Sequence, residues 1–121
     1  MRLPRQSSIR DRAIFALTKD TGRAKAGRFL ILSTLENEEL GGLRTGFITT
    51  KRCGKAHDRV LLRRRFRSLV QAHAPKFFSM NRYLITIARG NAAKASFAEL
   101  ENDWIQQARR LGLFSPPRSS P

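Results

Sequence analysis

The chain has 121 residues, of which 40% are hydrophobic, and it carries 24 Lys and Arg against 9 Asp and Glu. This length suits one domain with its own core, and no stretch reaches the ~20 consecutive apolar residues that span a bilayer. The formal net charge of +15 favours a polyanionic partner, either nucleic acid or an anionic membrane. A helix that binds a membrane surface would need a broad Trp, Phe and Leu face beside its basic residues, and the single Trp104 lies far along the chain from the main basic cluster. We therefore favour nucleic acid.

The first part of the chain predicts a helix followed by a β-hairpin. Ser8 and Asp11 have the spacing of a capping box, and apolar residues then recur at helical spacing, so we expect a helix over residues 9–19. Residues 29–34 form a compact apolar run that predicts a strand. After a glycine turn, residues 43–50 predict its antiparallel partner.

The second part predicts a helix, a strand and a last helix. Residues 57–73 form the first of these helices, which Pro75 ends. Its predicted buried stripe consists of Leu62, Phe66, Leu69, Val70 and His73. Residues 83–88 predict a strand, and Ser96 with Glu99 forms the capping box of the last helix. The pattern is that of an α+β protein with helices packed on a small sheet.

We expect a single RNA-binding domain over residues 9–112. An N-terminal tail precedes it at residues 1–8, and it lacks the apolar stretch of a secretory signal. A disordered tail rich in Ser and Pro follows at residues 113–121. Cys53 is the only cysteine, which excludes an intramolecular disulfide and fits a cytoplasmic location.

The most informative segment spans residues 51–67, where eight basic residues stand against Asp58 alone. The basic residues are Lys51, Arg52, Lys55, Arg59, Arg63, Arg64, Arg65 and Arg67. Three of them recur every fourth residue and therefore share one helical face: Arg59, Arg63 and Arg67. A solvated basic face of no particular function is the alternative, but so large an excess of arginine favours phosphate contact. A helix in the major groove of DNA is less favoured, since a strand rather than a helix precedes this element.

Catalytic motifs are mostly missing from the chain. Its acidic residues are scattered, and Gly54-Lys55 lacks the rest of a phosphate-binding loop, so we expect no metal site and no catalytic residue in the protein. His73 belongs to the apolar stripe and is interpreted as a core residue. Phe15 has two interpretations, a core position or an exposed ring that stacks on single-stranded bases.

The basic segment resembles the signature of the bacterial ribonuclease P protein component. The similar stretch runs from Thr50 through Lys51-Arg52-Cys53-Gly54-Lys55-Ala56 to the arginines of the helix. Further motifs match in order over about residues 9–108, and they include Arg44-x-Gly46 and residues 83–89. The chain departs from the family pattern at Val60 and Leu61, where an Asn and an Arg are usual.

This resemblance implies a compact αβββαβα sandwich with a left-handed β-α-β crossover. It also implies that a catalytic RNA, with Mg²⁺, removes the 5′ leader of precursor tRNA, while the protein binds no cofactor of its own and acts on no small molecule or membrane. The residues that would contact the catalytic RNA are Lys51, Arg52, Lys55, Arg59, Arg63, Arg64 and Arg67. The residues that would line a cleft for the leader are Phe15, Phe47 and Thr49. The missing third strand would lie near Lys51-Arg52 or continue the second one.

Two other functions remain open from the sequence. The chain could be a non-catalytic structural protein bound to ribosomal RNA, which would leave precursor processing unchanged. It could also be a self-sufficient nuclease, which would cut RNA without an RNA cofactor, although no carboxylate cluster or catalytic triad supports this function.

Overall fold

The structure, a computed structural model, describes residues 12–114 and contains three helices and four strands in that range. In chain order these are α1 (Arg12–Thr21), β1 (Arg23–Ala26), β2 (Leu30–Glu36), β3 (Arg44–Ile48), α2 (Ala56–His73), β4 (Arg82–Ala88) and α3 (Phe97–Arg110). The predicted αβββαβα order and mixed α+β class are confirmed. The capping box at Ser8 lies outside the described residues.

The four strands form one mixed sheet in the order β1-β2-β4-β3. β4 runs antiparallel to β2 and parallel to β3, so it separates the two strands that the sequence predicts as a hairpin. That predicted hairpin is wrong. The apolar pattern identified both strands correctly, but the loop over residues 37–43 is long enough to pass across the position that β4 later fills. The connection from β3 through α2 to β4 is the predicted crossover, and its left hand stays a prediction.

The strand missing from the sequence analysis is β1. It pairs antiparallel with β2, from Arg23 opposite Thr34 to Ala26 opposite Ile31, and these two strands make the real hairpin. Its sequence, Arg-Ala-Lys-Ala, has no large apolar side chain, because an exposed edge strand buries little. Its expected position near Lys51-Arg52 is wrong, since Lys51–Cys53 forms a 3₁₀ turn.

The two faces of the sheet are covered by different helices. Because side chains alternate along a strand, Leu30, Leu32 and Leu84 point to one face, where they join the buried core with α2 and α3. On this face the Trp104 indole of α3 donates a hydrogen bond to Thr86 Oγ1 of β4 at 3.2 Å. The opposite face carries α1, which contacts β1, β2 and β4.

The apolar stripe of α2 is buried as predicted at four of its five positions: Leu62, Phe66, Leu69 and Val70. His73 is half-buried at the end of the helix. Its ring stacks on Trp104, with centroids 5.9 Å apart, and its Nε2 lies 2.8 Å from a carboxylate oxygen of Glu101. It is therefore a packed residue with a polar partner, in line with the interpretation of His73 as structural.

A buried carboxylate on α3 holds the turn between β1 and β2. Asp103 accepts hydrogen bonds from the backbone N–H groups of Arg28, Phe29 and Leu30 at 3.2, 2.8 and 3.2 Å. A Cβ on Gly27 would lie only 2.1 Å from Asp103 Oδ1, so glycine is needed for this close approach. The Asp103 side chain thereby ties the hairpin of β1 and β2 to α3.

The core continues slightly past the domain end that the sequence predicts at residue 112. Leu113 is fully buried, and the ring of Phe114 packs edge-on against Phe77 with centroids 5.3 Å apart. These two positions therefore belong to the folded domain. The remainder of the predicted disordered tail, residues 115–121, lies outside the described residues.

Candidate nucleic-acid interface

A cleft of about 350 Å³ lies between α1 and the face of the sheet that α1 covers. The strands contribute an apolar floor, and the helix contributes Phe15, Ala16 and Lys19. The floor consists of Ala24, Ile31, Ser33, Ile48, Ile85 and Ile87. The half-buried Phe15 ring is therefore a wall of an open cleft, which favours the second of its two interpretations.

Ser33 is the polar exception on this floor. The residue is 4% exposed, and its hydroxyl oxygen has no hydrogen-bond partner among residues 12–114. A buried hydroxyl without a partner costs about 1–3 kcal/mol. A ligand in the cleft that offers a donor or an acceptor to this hydroxyl would recover that cost.

A second, more open groove of about 670 Å³ lies beside the cleft, and Ile31 lines both. Its cations are Lys51 and Arg52 from the 3₁₀ turn and Arg89 from the end of β4. The full lining is Ile31, Thr50, Lys51, Arg52, Ala88, Arg89 and Gly90. An extended ligand can thus place apolar groups in the cleft and negative charges in the groove.

The turn that presents Lys51 and Arg52 is held by contacts with the end of β4 and with the first turn of α2. The buried Cys53 thiol lies 3.5 Å from the carbonyl oxygen of Arg89, where it acts as a weak donor. Gly54 has φ of 114°, and a Cβ at this position would lie 2.6 Å from Asp58 Oδ2. Asp58 itself accepts a hydrogen bond from the backbone N–H of Lys55 at 3.0 Å, which closes the first turn of α2.

The predicted arginine row runs along the side of α2 that faces β3. Arg63 Nη1 donates to Thr49 Oγ1 at 2.7 Å, and the guanidinium of Arg67 lies 5.6 Å from the centre of the Phe47 ring. Arg59 is half-buried, and its Nε has no hydrogen-bond partner among the described residues. Together with Lys55 and the exposed Arg64, these side chains form the cationic surface of α2, in which Thr49 and Phe47 hold two of the guanidinium groups.

Arg65 does not belong to that surface. Its Nη1 donates to the carbonyl oxygen of Ala95 at 3.2 Å, which ties α2 to the turn before α3. The side chain is half-buried, so this arginine serves packing between elements. The count of basic residues in the sequence did not distinguish it from the others.

The structure does not bring the three predicted cleft residues together. Phe15 lines the cleft, whereas Phe47 and Thr49 contact the arginines of α2 on the other side of the sheet. The alternation of side chains along β3 explains this separation, since Ile48 pairs with Ile87 on the cleft face and Phe47 pairs with Thr86 on the core face. The alternation of these side chains was evident in the sequence, but the face of the sheet to which Phe47 and Thr49 point was not.

Most of the cleft floor and one cation of the groove, Arg89, were not predicted from the sequence. The period-two pattern of Ile31 and Ser33 in β2, and of Ile85 and Ile87 in β4, was a usable signal. Both strands carry apolar residues on both faces, however, and such strands are typical of a sheet buried on both sides. Only the packing of α1 against the sheet shows that one of these faces is partly open.

Burial lowers the pKa of one arginine, Arg82, and the nearby carboxylate of Glu36 partly opposes that effect. Its Nη1 donates to Thr34 Oγ1 at 3.1 Å, and its Nη2 lies 3.2 Å from Glu36. This arginine is 3% exposed at the start of β4 and takes no part in the interface.

Among residues 12–114, no group of His, Cys, Asp and Glu side chains is arranged to hold a metal ion. In the same part of the chain, no helix has the length and hydrophobicity needed to cross a membrane.

The fold and these surfaces define a small basic α+β protein with a cationic helix on one face of its sheet and a cleft on the other. A family model described as Ribonuclease P matches residues 3–112. The chain is 31% identical over 113 residues to the ribonuclease P protein component of Syntrophomonas wolfei, with 93% of each chain covered. It is 32% identical over 117 residues to that of Chloroflexus aggregans, covering 97% of this chain and 86% of the relative.

The fold is similar to that of the Staphylococcus aureus RNase P protein, with a TM-score of 0.82 and 23% identity over 90% of this chain and 98% of that one. The chain belongs to the ribonuclease P protein family. The resemblance described from the basic segment is thereby confirmed.

Proposed function

We propose that this protein binds the catalytic RNA of ribonuclease P and the 5′ leader of precursor tRNA, and so promotes removal of the leader to generate the mature 5′ end. Cleavage itself is assigned to the RNA with its Mg²⁺. The relatives named ribonuclease P protein component support the partnership with that RNA. The protein's own contribution is then to bind both RNAs and to position the precursor tRNA relative to the catalytic RNA.

The observation that carries the proposal is the position of the basic groove beside the apolar cleft, with Ile31 lining both. Single-stranded RNA exposes flat bases and a charged backbone, and proteins bind it with apolar or aromatic surfaces beside a cationic track. Phe15 and the isoleucine floor supply the first part, and Lys51, Arg52 and Arg89 supply the second. A single-stranded leader matches both parts at once.

The cationic surface of α2 is proposed to contact the folded catalytic RNA. This surface consists of Lys55, Arg59, Arg63, Arg64 and Arg67, and we include Lys51 and Arg52 of the preceding turn. Thr49 and Phe47 hold two of the guanidinium groups in place, which lowers the entropy lost when they contact phosphates. The contacting groups are cationic, which suits phosphate binding rather than proton transfer.

Reconstitution tests the proposal directly. The purified chain is added to a bacterial ribonuclease P RNA transcript and a precursor tRNA at a Mg²⁺ concentration where the RNA alone is nearly inactive. We expect the chain to restore cleavage at the mature 5′ end and to do so more strongly for a long leader than for a shortened one. An unchanged cleavage rate, with an RNA that is active alone at high Mg²⁺, would refute the proposal.

A matched pair of variants separates specific contacts from net charge. Lys51→Ala with Arg52→Ala removes two cations from the groove, and Lys76→Ala with Arg109→Ala removes two cations from a different pocket beside α3. We expect only the first pair to weaken the stimulation. Association with ribosomal subunits without any effect on processing would instead indicate the structural RNA-binding alternative, and cleavage by the chain alone would indicate a nuclease.

A further inference from the structure

Two aliphatic side chains interrupt the cationic surface of α2 on its outermost side. Val60 and Leu61 are each 44% exposed, which is high for large apolar residues. At about 100° per residue, they lie on either side of the line through His57 and Arg64, opposite the buried stripe. Both side chains point away from the sheet, and no element among residues 12–114 covers this part of the helix.

The charges around this pair decide which partner it fits. Segment 51–67 carries eight basic residues and one acidic residue, and the whole chain has a net charge of +15. A second copy of the chain would bring the same positive surface against itself, and that repulsion disfavours a homodimer through this face. The partner is therefore polyanionic, and it must also offer apolar surface within reach of Val60 and Leu61.

A folded RNA meets both requirements where a base is unstacked. Its paired regions present phosphates and 2′-hydroxyl groups, with which aliphatic side chains make no favourable polar contact. An unstacked base exposes an apolar face beside its own phosphates. Arg64 and the arginine row would then contact those phosphates while the aliphatic pair covers the base.

We propose that Val60 and Leu61 bind an unpaired nucleotide of the partner RNA and give α2 a contact that does not depend on charge. This inference rests on the proposed function for the identity of the RNA, but it assigns a distinct kind of contact to distinct residues. It predicts that binding through α2 has a salt-independent part. The electrostatic part weakens as the salt concentration rises, because the release of counterions from the RNA then yields less free energy. The free energy of apolar burial does not depend on counterion release.

The test compares the wild-type chain with the double variant Val60→Gln, Leu61→Gln. Glutamine keeps a high helix propensity and carries no charge, so the fold and the phosphate contacts are retained. Leu17→Gln is the matched control, because Leu17 is also 44% exposed but lies on α1. Thermal unfolding of each variant checks that all three proteins are equally folded.

The probe is a ribonuclease P RNA transcript that the wild-type chain activates, and its affinity for each protein is measured across a range of salt concentrations. Each side chain is already about half covered, so only its exposed part can be buried by the RNA. We therefore expect the double variant to bind about tenfold more weakly at every salt concentration. The slope of affinity against salt should stay unchanged, and Leu17→Gln should bind like the wild type. In chemical probing of the RNA, at least one unpaired base protected by the wild-type chain should become reactive with the double variant.

Equal affinity of the double variant and the wild type would overturn the inference, and so would an equal loss in Leu17→Gln. A loss accompanied by a shallower salt slope would show that the variant disturbed the arginines instead. Binding to phosphatidylglycerol vesicles that requires Val60 and Leu61, with RNA affinity unchanged, would assign the pair to a membrane surface. If the wild-type chain fails to activate any ribonuclease P RNA, the proposed function fails first, which keeps the two failures distinguishable.

Discussion

Replacing Asp103 with asparagine should destabilise the protein strongly, although the two side chains have nearly the same shape. One carboxylate oxygen accepts from the backbone N–H of Arg28 and from Gln107 Nε2, and the other accepts from the N–H groups of Phe29 and Leu30. An asparagine must place its NH₂ group at one of these two positions. A donor then faces donors in a buried site.

The less costly orientation puts the NH₂ group toward Arg28 and Gln107. Gln107 would have to turn its amide to accept, which breaks the 2.6 Å hydrogen bond between its Oε1 and Arg110. The Arg28 N–H would still lack a partner, and the hydrogen bonds that remain would lose the charge of the carboxylate. Charge-assisted hydrogen bonds contribute about 1.5–3 kcal/mol each, so we expect a loss of about 3 kcal/mol.

Urea unfolding of the full chain measures this loss, and the control is Glu101→Gln on the same helix. Glu101 is partly exposed and forms an ion pair with His73, so its replacement should cost less than about 1 kcal/mol. A loss of about 3 kcal/mol corresponds to a fall in Tm of roughly 10 °C for a domain of this size. If Asp103→Asn unfolds within about 1 kcal/mol of the wild type, the turn is held by other contacts and this reasoning is wrong.

Three further changes test the interface. Ser33→Ala should leave the free energy of unfolding unchanged or raise it by about 1 kcal/mol, yet weaken leader binding about fivefold. Competition between precursor tRNAs with and without a leader measures this effect, and an equal loss for both substrates would contradict a role of Ser33 in the cleft. Gly54→Ala should cost about 1–3 kcal/mol in thermal unfolding, because alanine is strained at this positive φ and would meet Asp58, and a neutral result would mean that the turn adjusts freely. Replacing Arg59, Arg63 and Arg67 together with alanine should flatten the salt dependence of RNA binding by about two units of log–log slope. An unchanged slope would count against the cationic surface of α2 as an RNA-binding surface.

The sequence predicted the elements of this fold better than their arrangement. The stripe of α2 and the capping box at Ser96 depend on contacts within a few residues, and both appear as predicted. The position of β4 between β2 and β3 depends instead on which distant strands pair, which local patterns do not encode. β1 escaped detection for a different reason, since an exposed edge strand needs no apolar side chains.

The candidate site shows the same division. The cations of segment 51–67 were evident, because charge is visible in composition alone. The floor of the cleft was not, since Ile31 and Ser33 become its floor only when α1 leaves part of that face open. Thr49 and Phe47 were expected beside Phe15, and the register of β3 instead places them under the arginines of α2.

Residues 47–49, at the end of β3 and just after it, contribute side chains both to the cleft and to the support of the cationic surface of α2. Ile48 forms part of the cleft floor, while its neighbours Phe47 and Thr49 support Arg67 and Arg63. A shift of this short segment caused by one ligand therefore changes the site of the other. Thermodynamic linkage then requires reciprocity: the factor by which the catalytic RNA alters leader affinity equals the factor by which the leader alters affinity for the RNA. The sheet would in this way couple the two RNAs proposed as ligands, because alternate side chains of one segment lie at the two surfaces.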